Sequence, residues 1–184
     1  MIETSFAERT GVEHPDGLLC HRPKGHVVRT KAITMLAVAA AIASAALTFL
    51  PWIDISDVRM PIRWSGLGMY VGEHVDHYVG GMVNSPPGWI VLIASIAAAG
   101  TLLGATRLRW LGFSACGCAL VAFAAAALSL VYPALVVGGV KHELGVSELE
   151  DRDLLNSGVL ITEVATTAVL VVCTALIAAG RRTR

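Results

Sequence analysis

Four long stretches of the chain are almost free of charged side chains, and this feature limits the possible folds more than any other. They run over residues 32–53, 87–106, 110–132 and 158–180. A helix needs about 20 apolar residues, at a rise of about 1.5 Å per residue, to cross the hydrocarbon core of a bilayer. Each stretch has roughly that length, so the sequence predicts four transmembrane spans.

Composition excludes the two main alternatives, a water-soluble domain and a disordered chain. Hydrophobic residues make up 55% of the 184 residues and charged residues 15%, whereas an average soluble domain carries about 25% charged residues. The mean hydropathy is +0.66. Disordered chains are poor in apolar residues and carry a large net charge, but here 14 basic and 14 acidic residues cancel. Zero net charge also gives no bulk attraction to nucleic acid, so no nucleic-acid partner is expected.

Backbone hydrogen bonding indicates what kind of spans these are. A lipid-exposed backbone must satisfy its own hydrogen bonds, and the sequence lacks the repeated alternation of an outer-membrane barrel. The predicted fold class is therefore an all-α membrane protein, a four-transmembrane-helix bundle formed by residues 32–180. Residues 1–31 are predicted to form a cytoplasmic N-terminal segment, and residues 181–184 a cytoplasmic tail.

Arginine and lysine are distributed unevenly between the two sides of the predicted membrane. One side carries ten of them, and the other carries four together with nine acidic residues. Cytoplasmic segments retain Arg and Lys, so both termini are predicted to be cytoplasmic in a plasma (inner) membrane. The ten Arg and Lys residues on the side of the termini are Arg9, Arg22, Lys24, Arg29, Lys31, Arg107, Arg109, Arg181, Arg182 and Arg184. The bacterial assignment comes from composition, because scarce lysine and abundant alanine are typical of a GC-rich bacterial genome.

The first stretch has an alternative interpretation as a cleaved signal peptide. Ala43-Ser44-Ala45 resembles a small-residue cleavage site that follows an apolar run. However, the polar lead of 31 residues is long for a signal peptide, and the apolar run continues past this site to Ile53. We therefore expect the stretch to be retained as the first span.

Small residues mark the predicted contact faces of the spans, because helices in lipid associate through close packing of their backbones. Gly100 and Gly104 form a G-x-x-x-G pair in the second span, and Ala97 lies one turn before them. Glycine lowers helix stability unless it is used for packing. These three residues are therefore predicted to pack against another helix. Alanines at helical spacing in the first and third spans fit the same role, or reflect an alanine-rich composition.

The loop between the first two spans, about residues 54–87, carries a strand pattern and a cluster of metal-binding residue types. Apolar residues alternate from Val58 to Trp64, which predicts a short edge strand lying over the bundle. Further on, His74 and His77 are three residues apart and could bind zinc or copper, with Glu73 or Asp76 as a carboxylate ligand. Such clusters also arise in ordinary polar loops, so the metal site is a hypothesis and no cofactor is predicted.

The cysteines predict no disulfide framework, because both loops on the side opposite the termini lack cysteine. Cys116, Cys118 and Cys173 fall at similar depths in the third and fourth spans. Thiolate metal ligation or redox sensing is one interpretation of these residues. The other is that they serve as small apolar residues in the bundle.

Glu163 is the one ionisable residue inside a predicted span. A carboxylate in hydrocarbon is costly, so it normally faces the bundle interior, pairs with another group, or marks an ion path. Thr167 and Thr174 continue the same helical face. This seam is predicted to serve helix packing or a partner contact, and the alternative is part of a proton path.

Two short motifs carry a resemblance to known membrane proteins. Leu50-Pro51-Trp52 closes the first span, and Trp64-Ser65-Gly66-Leu67 follows in a long loop before three further spans. This layout resembles that of claudin-like four-span proteins and of small actinobacterial four-span membrane proteins, including the tryptophan-operon-associated type. The pair of loop cysteines that crosslinks the outside sheet of claudins is absent from this sequence. The resemblance therefore implies a topology and no activity.

The sequence contains no convergent catalytic residues, nucleotide-binding loop or complete metal constellation, so the chain is predicted not to be an enzyme. The expected function is that of an accessory or scaffolding subunit of a larger cell-envelope complex, of the respiratory or lipid-transport type. Its expected partners are other membrane proteins and the lipid bilayer. The alternative is a small transporter, or a metal or ion sensor, that uses Glu163 or the pair His74 and His77.

Overall fold

The computed structural model describes residues 24–55, 62–71, 85–105, 110–144 and 150–182. Within them the chain forms helices and a small sheet. The helices are α1 (Lys24–Leu47), α2 (Pro86–Gly104), α3 (Trp110–Val131), α4 (Ala134–Leu144) and α5 (Ser157–Arg182). The strands are β1 (Pro51–Asp54) and β2 (Arg63–Ser65).

Four of the helices are long and apolar enough to cross a membrane, which confirms the predicted all-α four-helix class. The qualifying segments are Thr30–Leu47, Pro86–Gly104, Trp110–Val131 and Ser157–Gly180. Helix α1 packs on α2 and α5, and α3 packs on the same two helices. The spans therefore form a closed four-helix ring. Large apolar side chains, such as Ile93 and Trp110, are exposed on its outside, as expected for a surface that faces lipid.

The predicted end of the first span is wrong. Helix α1 ends at Leu47 rather than at Ile53, and a turn follows in which the amide of Phe49 donates to the carbonyl of Ala46 at 3.1 Å. Pro51 cannot continue a helix, because its ring blocks the preceding turn. The apolar residues Trp52 and Ile53 are buried in strand β1 instead of crossing the bilayer.

The sheet lies at the end of the bundle where α1 stops. Strand β1 pairs antiparallel with β2, with Asp54 opposite Arg63. The other side of β1 is hydrogen-bonded to the segment before α5, since the amide of Asn156 donates to the carbonyl of Trp52 at 2.8 Å. The far side of β2 is also paired, because the amide of Val71 donates to the carbonyl of Arg63 at 2.8 Å. The predicted strand thus exists at Arg63–Ser65 but is not an edge strand, and residues 56–61 lie outside the described part.

Helix α4 was not predicted from the sequence. The third span ends at Val131, two residues before Pro133, as expected. The chain then starts a new helix directly, because the carbonyl of Pro133 accepts bonds from the amides of Val136 and Val137 at 2.9 and 3.0 Å. With 11 residues, α4 is too short to cross a bilayer. It instead contributes Val136, Val137 and Val140 to a buried apolar cluster that also contains residues of the sheet.

The buried apolar residues form two separate clusters. The sheet-proximal cluster consists of Trp52, Ile53, Ile55, Ile62, Trp64, Val91, Ala126, Val136, Val137, Val140, Leu154, Leu155 and Leu160. The sheet-distal cluster consists of Ala37, Ala40, Ala41, Ala98, Leu102, Ala115, Ala119, Leu170, Cys173 and Ile177. The polar site described next lies between them.

Candidate functional site

Glu163 is buried in the interior of the bundle, with none of its side chain exposed. It lies six residues into α5, which is about 9 Å along the helix axis. The buried residues Leu160, Glu163, Thr167 and Leu170 recur every three or four positions along α5. That spacing is typical of one helical face, so the carboxyl group is carried inward with the apolar contact face of the helix.

Two serines from two other helices contact the carboxyl group in sequence. The Ser44 hydroxyl on α1 donates to Oε1 of Glu163 at 2.5 Å. The Oγ atoms of Ser44 and Ser95, the latter on α2, are 2.8 Å apart. All three side chains are fully buried. We call this arrangement the Ser44–Ser95–Glu163 site, and it joins three of the four spans.

The number of available protons defines the direction of these bonds. A serine hydroxyl has a single donor. When Ser44 donates to Glu163, Ser95 must therefore donate to Ser44. If the carboxyl group instead carries a proton at Oε1, every bond in the chain reverses, and Ser44 donates to Ser95. The site thus accommodates either charge state of Glu163 with the same oxygen positions.

The second carboxyl oxygen, Oε2, is buried as well. No group in the described part of the chain forms a hydrogen bond with it. Buried polar atoms are usually paired, since leaving one without a partner is costly. Within the described residues, the Glu163 carboxyl group is therefore hydrogen-bonded through Oε1 only. A further polar partner would have to bind at Oε2.

The site lies between the two apolar clusters, since Glu163 on α5 stands between Leu160 of the sheet-proximal cluster and Leu170 of the sheet-distal one. Ser44 follows Ala41 of the sheet-distal cluster on α1, and it precedes Trp52 of the sheet-proximal cluster, which lies in β1 after the end of that helix. On α2, Ser95 stands in the same way between Val91 and Ala98. The third span contributes mainly alanines to this interior face, of which Ala122 belongs to neither cluster and is fully buried.

Trp52 closes the bundle near the end of α1. Its indole nitrogen, Nε1, donates to the carbonyl of Leu47 at 3.1 Å, and the residue is fully buried. The ring lies against Gly66, where an added Cβ would come within 2.6 Å of it. Gly88 at the start of α2 is equally tight, because its Cβ would overlap the Gly66 carbonyl. The sheet therefore packs directly against the end of α1 and the start of α2, close to the helical turn that contains Ser44.

The predicted threonine seam is buried but bonds within its own helix. The Thr167 hydroxyl donates to the carbonyl of Glu163 at 2.9 Å. The Thr174 hydroxyl donates to the carbonyl of Leu170 at 2.8 Å. Such back-bonding satisfies a buried hydroxyl without a second helix. The two threonines thus extend a polar stripe along α5, while the interhelical bond is made by Glu163.

The predicted glycine contact face packs against another helix only at Gly104. A Cβ placed there would come within 2.9 Å of the Leu111 side chain on α3. Gly100 is exposed, a Cβ placed there would meet nothing within 4 Å, and Ala97 is partly exposed. The buried face of α2 is a neighbouring one. It consists of Gly88, Val91, Ala94, Ser95, Ala98 and Leu102.

The predicted metal ligands in the first loop, Glu73, His74, Asp76 and His77, lie outside the described residues. Among the residues that are described, no group of three or more His, Cys, Asp or Glu side chains could hold a metal ion. Cys116, Cys118 and Cys173 are free thiols. Cys173 is part of the sheet-distal cluster, and Cys118 packs against it.

Two grooves lie on the outside of the bundle near the sheet. The first has a volume of about 440 Å³ and is apolar, with Ile90, Val121 and Leu128 among its lining residues. The second has a volume of about 430 Å³ and lies at the end of α3 beside the turn that precedes α5. Its lining is mixed and consists of Val131, Pro133, Lys141, Glu150, Asp151 and Arg152.

Sequence reasoning identified Glu163 and Thr167 but missed Ser44 and Ser95. A signal for them was present. Ser44 continues the alanine face of α1 at helical spacing from Ala37 and Ala41, and Ser95 lies beside Ala98 on α2. A single serine on an otherwise small, apolar helical face is where a buried carboxyl group in another span could find a donor.

The chain was also compared with known proteins. No protein-family model, no curated protein and no solved structure matches it.

Proposed function

We propose that the chain is a non-enzymatic, multi-pass membrane subunit that scaffolds a larger cell-envelope complex of the respiratory or lipid-transport type. One observation carries this proposal. The only acidic side chain in the four spans, Glu163, is turned inward and hydrogen-bonded to Ser44. A group used in this way holds helices together instead of lining a path through them.

The charge distribution supports a location in the plasma (inner) membrane of a bacterium, with both termini cytoplasmic. Ten Arg and Lys side chains belong to the side of the termini, against four on the side of the sheet. Retention of basic residues in the cytoplasm is the rule that orients such proteins. Under this proposal the sheet, α4 and the segment before α5 face the periplasmic or outer side.

The surface of the bundle supports membrane partners. Large apolar side chains are exposed along all four spans, and the apolar groove lined by Ile90 and Leu128 interrupts this surface on α2 and α3. Lipid tails and the helices of other membrane proteins are the two kinds of partner that suit such a surface. We propose both as partners of this chain.

The alternative function, a small transporter or ion sensor, is favoured by one specific observation. Oε2 of Glu163 is buried without a hydrogen-bond partner in the described residues, and unpaired intramembrane carboxyl groups often mark ion paths. Four spans without an internal repeat or a broken helix favour the scaffold instead. Glu163 is therefore the residue at which the two functions make opposite predictions.

The test is purification of the C-terminally tagged chain in a mild detergent, with particle mass and co-purifying proteins measured by mass spectrometry. A stoichiometric larger complex that is lost on Glu163→Ala supports the scaffold. A clean monomer or homo-oligomer would contradict it. Under the alternative, Glu163→Ala leaves the particle intact but abolishes ion flux in proteoliposomes. Ser129→Ala is the matched control, because this buried hydroxyl donates to the Ala125 carbonyl of its own helix.

A further inference from the structure

The mixed groove at the end of α3 has a position that relates it to the membrane surface. Val131, at its edge, is the last residue of the third span. The next residue, Tyr132, is 58% exposed, and exposed tyrosines are favoured at the depth of the lipid headgroups. The groove therefore opens where the apolar span ends and the polar part of the bilayer begins.

The charges that line the groove are of both signs. Lys141 and Asp151 form an ion pair across it, between α4 and the turn before α5. Glu150 and Arg152 flank Asp151 in that turn, and both are exposed. The backbone holds the turn together, since the amide of Asp153 donates to the Glu150 carbonyl at 3.2 Å. A carboxylate and a guanidinium are thus presented side by side above the apolar edge.

This combination selects among the common phospholipid headgroups. A phosphate would bind Arg152, because guanidinium groups match phosphate oxygens. A primary ammonium would bind Glu150 with N–H donors. A choline headgroup has no N–H to donate, and phosphatidylglycerol has no cationic group to pair with Glu150. The volume of about 430 Å³ lies in the range of small-molecule sites.

We propose that the groove binds the phosphoethanolamine headgroup of a phospholipid, with Arg152 on the phosphate, Glu150 on the ammonium, and the glycerol end against Val131 and Pro133. The site is formed by α3, α4 and the turn before α5. It is separate from the Ser44–Ser95–Glu163 site and does not depend on the scaffold function.

The test is a lipid competition on the intact, detergent-purified chain. Phosphatidylethanolamine, phosphatidylcholine and phosphatidylglycerol with identical tails are added in equal amounts, and the retained lipid is counted by native mass spectrometry. We expect phosphatidylethanolamine to be retained about fivefold over each of the others, the scale of one exposed ion pair. Glu150→Gln should abolish this preference over phosphatidylcholine. Arg152→Gln should lower the retention of all three lipids.

Asp153→Asn is the matched control, because it removes the same charge from the same turn but does not line the groove. It should leave the preference unchanged, and all variants should elute as the wild type does. Equal retention of the three lipids, or an equal loss in Asp153→Asn, would overturn the proposal. Soluble O-phosphoethanolamine distinguishes the source of the headgroup. If it displaces the lipid at equal concentration, the site is not a lipid site and the proposal fails.

Discussion

The two apolar clusters on either side of the Ser44–Ser95–Glu163 site are built from different side chains. Six of the ten sheet-distal residues are alanine, whereas the sheet-proximal cluster contains Trp52 and Trp64 and only a single alanine. In the distal half, lipid is as apolar as the side chains, so helices associate through close backbone packing. In the proximal half, the sheet and α4 lie beyond the spans, and burial of large side chains away from water can contribute. The two halves of the bundle are therefore stabilised differently, one by close backbone packing and the other by burial of large side chains.

The polar site stands at the boundary between these two regions. Small residues bring α1 and α2 close enough for Ser44 and Ser95 to meet at 2.8 Å. Beyond the site, Trp52 and the other large side chains of the sheet-proximal cluster fill the interior. An interhelical hydrogen bond at this level holds three helices together where close packing gives way to larger side chains.

Trp52→Ala should produce the largest loss, about 3–5 kcal/mol in the free energy of unfolding, because a fully buried aromatic ring leaves a cavity. The measurement is equilibrium unfolding in mixed detergent micelles. Trp110→Ala is the control, since Trp110 is 81% exposed and should change stability little. Equal losses in the two variants would contradict a sheet-proximal cluster held by buried large side chains.

Ala119→Leu should destabilise the sheet-distal half by about 1–3 kcal/mol, because extra atoms at a closely packed interface force the helices apart. Ala119 is fully buried on α3. The same unfolding measurement applies, with Ala124→Leu on the exposed face of the same helix as the control. If Ala119→Leu is as stable as the control, the distal half does not depend on close packing.

Ser44→Ala should cost about 0.6 kcal/mol and at most about 1.7 kcal/mol, the average and the maximum measured for hydrogen bonds between helices in a membrane protein. Glu163→Gln should cost less, because its amide oxygen still accepts from Ser44 and the substitution removes a buried group that can carry charge. Ser129→Ala is the control, since its hydroxyl bonds within its own helix. A Ser44→Ala loss no greater than that of Ser129→Ala would show that the site does not stabilise the boundary.

Arg63→Gln should have the smallest effect, at most about 1 kcal/mol. Arg63 and Asp54 pair at 3.0 Å across the two strands, but half of the arginine side chain is exposed. The loss should shrink in high salt, because exposed ion pairs are screened. A larger loss that persists in high salt would mean that charge, and not the buried ring of Trp52, holds the sheet in place.

The spans were predictable because hydropathy and length alone define them. The last three predicted spans, 87–106, 110–132 and 158–180, agree closely with the helices. The predicted first span extends too far, to Ile53, because Trp52 and Ile53 are as apolar as a span requires. Hydropathy reports that a residue is buried, but it does not report whether lipid or a sheet covers it.

The site was predictable only in part, for a similar reason. Glu163 stands out because a charged group in hydrocarbon needs an explanation. Ser44 and Ser95 do not, because serine is common on helical faces and its partner comes from another helix. The glycine pair was informative only in part, since Gly104 packs against Leu111 whereas Gly100 faces outward. A small residue indicates that a close contact is possible and does not say on which face it occurs.

The fold class follows from hydropathy and length alone, since four apolar runs in a chain of this length are satisfied by spanning helices. The same pattern shows that one acidic group must be sheltered within them. Three further features could be found only in the folded chain: α1 stops at Leu47, a sheet covers the end of the bundle, and Ser44 and Ser95 meet Glu163. Those outcomes depend on contacts between residues far apart in the chain, which local hydropathy and periodicity do not encode.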